Sequence, residues 1–308
     1  MRNEMPCVRN MVSVLVPSFN HARYLRECVD SVLAQDHTPM EVIVVDDGST
    51  DGSMDILRSY GSRIVLLQQQ GGRQARARNL ALGVARGEFI AFLDSDDRYR
   101  PGRISAAVAA FHAQPQAGLV WADHVLIDEA GGERQPVRWA PRDADFRREL
   151  IAGNPICNAT ATVRRSVLDD IGGFDERVPR VCDGAAWYQI AARGHAFVHL
   201  PLLLLDYRQH GGNDSARFAP MTHDRDTALL AAAQAYLQRG VVSTAAELAW
   251  LRGALLRQFA FRAAAWVQRE MGSSATSQWR ARGYEALGSH AGLGLLARLQ
   301  TVKHRLRA

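Results

Sequence analysis

The chain has 308 residues, 47% of them apolar, which suits one large domain or two modest ones with a sizeable core. Its net charge of +5 is modest and its basic residues do not alternate with aromatics in a stripe, which argues against a nucleic-acid partner. Four cysteines, Cys7, Cys28, Cys157 and Cys182, lack C-x-x-C spacing, which argues against a zinc site or a disulfide framework and fits a reducing compartment.

The first apolar run, Val12 to Val16, reads as a strand closed by Pro17. A helix follows over about 22–34, with Leu25, Cys28, Val29, Val32 and Leu33 at helical spacing. Glu41 to Val45 is the second strand, and Ser49 to Ser53 is a turn that starts another helix at Met54. A third strand is expected over 63–67, a helix over 74–85 ended by Gly87, and a fourth strand over 88–93. This β-α-β-α-β-α-β order predicts a doubly wound α/β half. After Pro101 come a helix, an apolar β-rich stretch from Leu119 to Ile127, and a polar Gly/Pro/Arg-rich loop over 129–145. A strand over 158–163, a short helix over 166–171, a helix over 185–192 and a strand over 197–206 complete this part. From about Met221 the pattern is helical to the end. The tail over 295–307 is basic and amphipathic, either a membrane-surface helix or an ordinary solvated one. No apolar leader and no run of roughly 18 apolar residues is present, so the expected location is cytoplasmic, with possible contact at the inner face of the membrane.

Acids cluster where two strands end. Asp46 and Asp47 follow Val42–Val45, and Asp94, Asp96 and Asp97 follow Phe89–Leu93. Open parallel sheets bind ligands beyond the carboxyl ends of their strands. Two acid clusters at two such ends predict one crevice holding a divalent cation and a polar ligand. Arginine is abundant and Lys303 is the only lysine; this reflects either carboxylate and phosphate recognition or a compositional bias. The stretch from Pro17 to Arg23 has no glycine, which argues against the phosphate loop of a nucleotidyltransferase and against a dinucleotide fold.

The ordered segments Val14–Asn20, Val44–Asp51, Arg78-Asn79, Gly87–Asp97, Gly172–Glu176, Cys182-Asp183 and Tyr207–His210 resemble glycosyltransferase family 2. The resemblance covers roughly residues 11–217. It implies the GT-A fold, a Rossmann-like, mainly parallel mixed sheet with helices on both faces. It divides the chain into 1–217, with a nucleotide-sugar half over 11–100 and an acceptor half over 101–217, and a C-terminal helical region over 218–308. It also implies an inverting, metal-dependent transferase using a nucleotide-diphosphate sugar, in particular a UDP-sugar, and a glycan or lipid-linked saccharide acceptor.

Residue by residue, the resemblance gives Asp47 the uracil N–H and leaves Asp46 to brace the turn. It puts Pro17, Asn20, Asp47, Arg78, Asp94, Ser95, Asp96 and Arg208 in the donor site, with Asp96 and His210 as ligands of Mn²⁺ or Mg²⁺. Arg78 faces either phosphate or the helix surface, and Arg208 is a phosphate partner. Asp183 is the catalytic base, or a helix N-cap, or both. Cys182 stands where the family commonly has Glu and Gly184 where it has an aromatic, which keeps open a degenerate binding module without transferase activity. Asn154, Asn158, Thr160 and Thr162 are acceptor-side candidates, while Trp187 reads as core.

Overall fold

The computed structural model describes residues 7–258, apart from 142, 144, 214–217 and 256. In chain order the N-terminal half comprises β1 (Val8–Ser18), α1 (Ala22–Leu33), β2 (Met40–Asp46), α2 (Ser53–Arg58), β3 (Val65–Gln68), α3 (Arg73–Val84) and β4 (Gly87–Phe92). Then follow β5 (Arg98–Tyr99), α4 (Arg103–Ala113), β6 (Ala117–Ile127), β7 (Glu133–Val137), α5 (Phe146–Gly153), β8 (Thr162–Arg164), α6 (Arg165–Ile171), α7 (Cys182–Ala192), β9 (Ala196–Arg208) and α8 (Phe218–Gln238).

One sheet runs β3-β2-β1-β4-β8-β6-β9-β5, with β7 paired to β6. The first four strands in that order are parallel, as are β6 and β9. β8 is antiparallel to both of its neighbours, which joins the two parallel blocks. Alternate residues of one strand serve opposite faces. Leu15, Ile43, Ile90 and Phe92 join the core under α3, α7 and α8. Val14, Val16, Val42, Val44, Phe89 and Ala91 join the core under α1, α2 and α4. Covering both faces explains why these strands are apolar throughout rather than alternating. β1 and β4 approach closely at Gly87, where a Cβ would lie 2.6 Å from Ser13 N and 2.8 Å from Met11 O. Only glycine fits that contact.

The structure differs from the sequence expectation in three places. The expected loop over 129–145 contains β7, which turns back antiparallel onto β6. It is a mostly exposed strand of polar residues, so it carries no apolar signal. Next, Asp145 caps α5 by accepting from Arg147 N, an unforeseen helix start. Finally, the strand expected over 158–163 is a 3₁₀ turn at Asn158–Thr160 followed by β8. Thr160 donates through both its N–H and its hydroxyl to Cys157 O, and this local bonding winds the turn.

The helical character expected after 218 holds in α8 and in a helical segment at 245–255. Ala228, Leu229, Ala232, Tyr236, Leu251 and Leu255 pack into the core that also holds α7. Among the described residues, no helix is long and apolar enough to cross a membrane. The basic tail at 295–307 lies outside the described residues.

Candidate active site

An open cleft of 1610 Å³ lies over the carboxyl ends of β1, β2 and β4 and is closed on its other side by the start of α7 and the loop after β9. The acids at these strand ends are sorted by their partners. Asp46 accepts from Gly48 N (3.1 Å) and Ser49 N (3.0 Å), so it braces the turn as expected. Asp47 faces the cleft, and its two oxygens accept from Gly72 N and Arg73 N, both at 2.8 Å. These bonds fix its carboxylate and leave lone pairs for a further N–H donor. Asn20, at φ 54°, ties the two loops together: its Oδ1 accepts from Thr50 N and its own N–H donates to Ser49 Oγ. Pro17 and Asn20 both line the cleft.

Behind β4, Arg78 is 1% exposed and donates to Asp94 Oδ1 and to Cys182 Sγ, each at 3.0 Å. The structure therefore rules out its surface alternative. Burial disfavours the guanidinium charge, but Cys182, Asp94 and Asp183 outweigh it and hold Arg78 firmly protonated. Asp94 is also pulled two ways. Burial raises its carboxyl, Arg78 lowers it, and the charges of Asp96 and Asp183 raise it again, leaving it above the ordinary value. Arg78 thus ties Asp94 to Cys182, the chain neighbour of Asp183.

Asp96 Oδ2 meets His210 Nε2 at 2.9 Å, a contact across 114 positions of sequence. His21 Nδ1 lies 2.8 Å from Ser95 Oγ. One ligand atom each from His21, Asp96 and His210 lies within 4.8 Å of the others. A carboxylate with two imidazoles is a donor set that fits a transition-metal ion such as Mn²⁺, which accepts imidazole, better than Mg²⁺, which prefers oxygen. The expected Asp96–His210 pair is therefore brought together, and His21 is an addition that the sequence reading missed. Its signal was its place, directly after Asn20 at the start of α1.

Arg208 is placed differently from expectation. It is 2% exposed and does not line the cleft. Its guanidinium donates to Asp96 O (2.9 Å) and Glu129 O (3.1 Å), pairs with Glu27 and lies over the Tyr24 ring. Its backbone N–H donates to Asp97 Oδ1 at 2.8 Å. With these partners it holds the Asp96-Asp97 loop from beneath instead of meeting a phosphate.

Asp183 lines the cleft in the first turn of α7, while Val181 occupies the capping position. The N-cap alternative for Asp183 is thereby corrected. Cys182 points inward to Arg78, and its thiol is pushed up to about 11, chiefly by burial. Trp187 is fully buried beside Phe92, as core. Asn154 and Asn158 line the cleft; Thr160 and Thr162 do not, Thr160 bonding to Cys157 O and Thr162 accepting from Arg103.

The model of glycosyl transferase family 2 matches residues 13–172. A putative teichuronic acid biosynthesis glycosyltransferase, TuaG of Bacillus subtilis, is 44% identical over 203 residues, covering 64% of this chain and 79% of that protein. Staphylococcus aureus TarS 1-349, solved in complex with UDP-GlcNAc, superposes with a TM-score of 0.65 at 22% identity, over 87% of this chain and 78% of that one. A mannosyltransferase from Pyrobaculum calidifontis, solved with GDP-Man and Mn²⁺, gives 0.58 at 21% identity, over 99% and 89%. At these identities the two structures speak for the fold. Matches to curated relatives span from 21% to 79% of those proteins' own length. The matched segment holds β1 to β4 with both acid clusters and extends through α6, and on that ground the chain belongs to glycosyl transferase family 2.

Proposed function

We propose that the protein transfers a hexosyl or N-acetylhexosaminyl group, with inversion, from a UDP-sugar to a hydroxyl of a glycan or lipid-linked saccharide in envelope polysaccharide synthesis. One observation carries the reading. Asp183 and the Asp96–His210–His21 cluster line one cleft, and Arg78 ties Asp94 to Cys182, the chain neighbour of Asp183. A displacement at an anomeric carbon needs a base on the acceptor side and charge compensation on the diphosphate side.

In this reading Asp47 accepts the uracil N–H, while Pro17 and Asn20 shape the wall beside the base. Asp183 accepts the proton of the acceptor hydroxyl as its oxygen attacks the anomeric carbon. The bond from that carbon to the β-phosphate oxygen breaks, and the nucleoside diphosphate leaves. Asp96, His210 and His21 would hold a divalent cation, Mn²⁺ in preference to Mg²⁺, which when bound compensates charge on the diphosphate. Arg78 contributes by fixing Asp94 and the start of α7, and so the distance between donor and base. The UDP complexes of TarS and the biosynthetic role printed for TuaG support the choice of donor and of polysaccharide product.

The departures at Cys182 and Gly184 favour a degenerate binding module only if they displace the base. Cys182 keeps the bond to Arg78, and Asp183 keeps its place on the cleft. The discriminating experiment is Asp183→Asn, assayed with a panel of UDP-sugars and saccharide acceptors. UDP binding by calorimetry is expected to persist while transfer falls by about 10²-fold or more. Near-normal transfer by the variant would remove Asp183 from the mechanism.

A further inference from the structure

The segment 154–162 carries four polar side chains, of which Asn154 and Asn158 belong to cleft-lining residues, and their existing partners separate them. Asn154 Oδ1 accepts from Ile156 N at 3.1 Å. Thr160 Oγ1 donates to Cys157 O at 2.8 Å, and Thr162 Oγ1 accepts from Arg103 Nη1 at 2.9 Å. Asn158 differs. It lines the cleft and is 7% exposed, yet neither its carboxamide oxygen nor its nitrogen has a hydrogen-bond partner. Buried amides are seldom left unpaired, because desolvation without a partner opposes folding. An unpaired donor and an unpaired acceptor on one buried side chain of a residue that lines a cleft are a provision for a ligand with complementary groups.

Position identifies which ligand group. Asn158 opens the 3₁₀ turn that packs against β4 and β6, below the cleft. The turn contacts β4, the strand that leads to Asp94, and just before it Asn154 approaches the start of α7, where a Cβ on Gly184, next to Asp183, would lie 3.6 Å from Asn154 Nδ2. The segment therefore runs between the donor-side acids and the base. The sugar being transferred must occupy that interval, since its anomeric carbon lies between the departing diphosphate and the attacking hydroxyl.

We propose that Asn158 is a specificity-determining residue for the transferred sugar, reading two neighbouring polar substituents of its ring. The carbonyl oxygen accepts from one hydroxyl, and the NH₂ group donates to the adjacent hydroxyl or acylamino oxygen. This proposal rests on the UDP-sugar reading above. A site built to pair with a hydroxyl discriminates strongly against a sugar lacking it, because its own buried groups are then left unpaired.

The test uses the full chain with Mn²⁺ and three probes: UDP, UDP-glucose and UDP-GlcNAc. Binding is measured by calorimetry, and slow UDP release from the sugars is followed in parallel. For Asn158→Ala, UDP affinity should stay within about twofold of wild type, while the preferred UDP-sugar loses about ten- to a hundredfold in affinity or in UDP release. Asn158→Asp, which accepts but cannot donate, should fall between. The melting temperature of ligand-free Asn158→Ala should equal or exceed that of wild type, because the variant removes an unpaired buried amide. A purely structural Asn158 would instead lower it. Retention of the wild-type preference for a UDP-sugar over UDP, or a destabilised Asn158→Ala, overturns the proposal and leaves the donor reading intact. A wild-type protein that binds none of the three probes overturns both.

Discussion

Arg78 is the position where a single change should show how the acid cluster is held. Arg78→Met keeps the volume of the side chain and removes its charge and donors. Wild-type Arg78, at 1% exposure, compensates Asp94 at 3.0 Å and gives Cys182 its polar partner. Without it, the carboxylates of Asp96 and Asp183 act on Asp94 uncompensated, and both oppose its charge. Removing one member of a buried pair costs about 3–5 kcal/mol. The Asp94 side chain keeps 27% exposure to the cleft, so water recovers part of its solvation. The expected loss is therefore below that range, about 2–3 kcal/mol. For a chain of this size that corresponds to a fall in melting temperature of roughly 3–5 °C. Urea unfolding of wild type, Arg78→Met, Asp94→Asn and the double variant closes a thermodynamic cycle. Asp94→Asn in the Arg78→Met background should recover most of the loss, because it removes the uncompensated charge. If the two changes add instead, the pair is not the source of the stability, and the account of Arg78 as the keeper of Asp94 fails.

Two further expectations concern packing and metal. Gly87→Ala places a Cβ 2.6 Å from Ser13 N, against backbone that cannot yield without parting β1 from β4. It should cost about 2–3 kcal/mol in urea unfolding, and a change under about 0.5 kcal/mol would refute the close approach. Mn²⁺ added with UDP should raise the melting temperature of wild type more than Mg²⁺ does, since ligands of the native state stabilise it. Asp96→Ala should abolish that difference, and His210→Ala and His21→Ala should each reduce it. A full Mn²⁺ shift in His21→Ala would exclude His21 from the ligand set.

What was legible in the sequence followed from burial on both faces. Val42–Val45 and Phe89–Leu93 read as strands because the sheet interior leaves no position for a polar residue. The brace at Asp46 was legible because a short acid before Gly-Ser bonds its own turn. β7 was not, because it is an edge strand whose side chains face solvent. The fate of each arginine was also hidden. Arg78, Arg103 and Arg208 are all at most 2% exposed, although arginine is ordinarily a surface residue. Their burial depends on carbonyls and acids far along the chain. The pairing of Asp96 with His210 came from resemblance, since no local spacing predicts a contact across 114 positions.

The partners of the five acids explain why the site tolerates them, and why one differs from the rest. Asp46, through Oδ2, and Asp47 accept from backbone N–H groups, and Asp94 accepts from Arg78. Asp97 accepts from the Arg208 backbone. Arg103 and Arg208 direct much of their forks at main-chain carbonyls, Arg103 at Thr160 O and Ala161 O, and Arg208 at Asp96 O and Glu129 O. That use suits guanidinium, which offers several donors in one plane, and a lysine could not reproduce it. It also means that Arg208 stabilises the loop without neutralising the carboxylate that the loop carries. Asp96 is left with His210 and, at 3.5 Å, the amide of Asn213. Imidazole is the partner that can turn from a carboxylate to share a cation with it. Each of the other four acids is fixed by a backbone N–H or by Arg78, whereas Asp96 has partners suited to exchange, which is the property a site that binds and releases a diphosphate at each turnover requires.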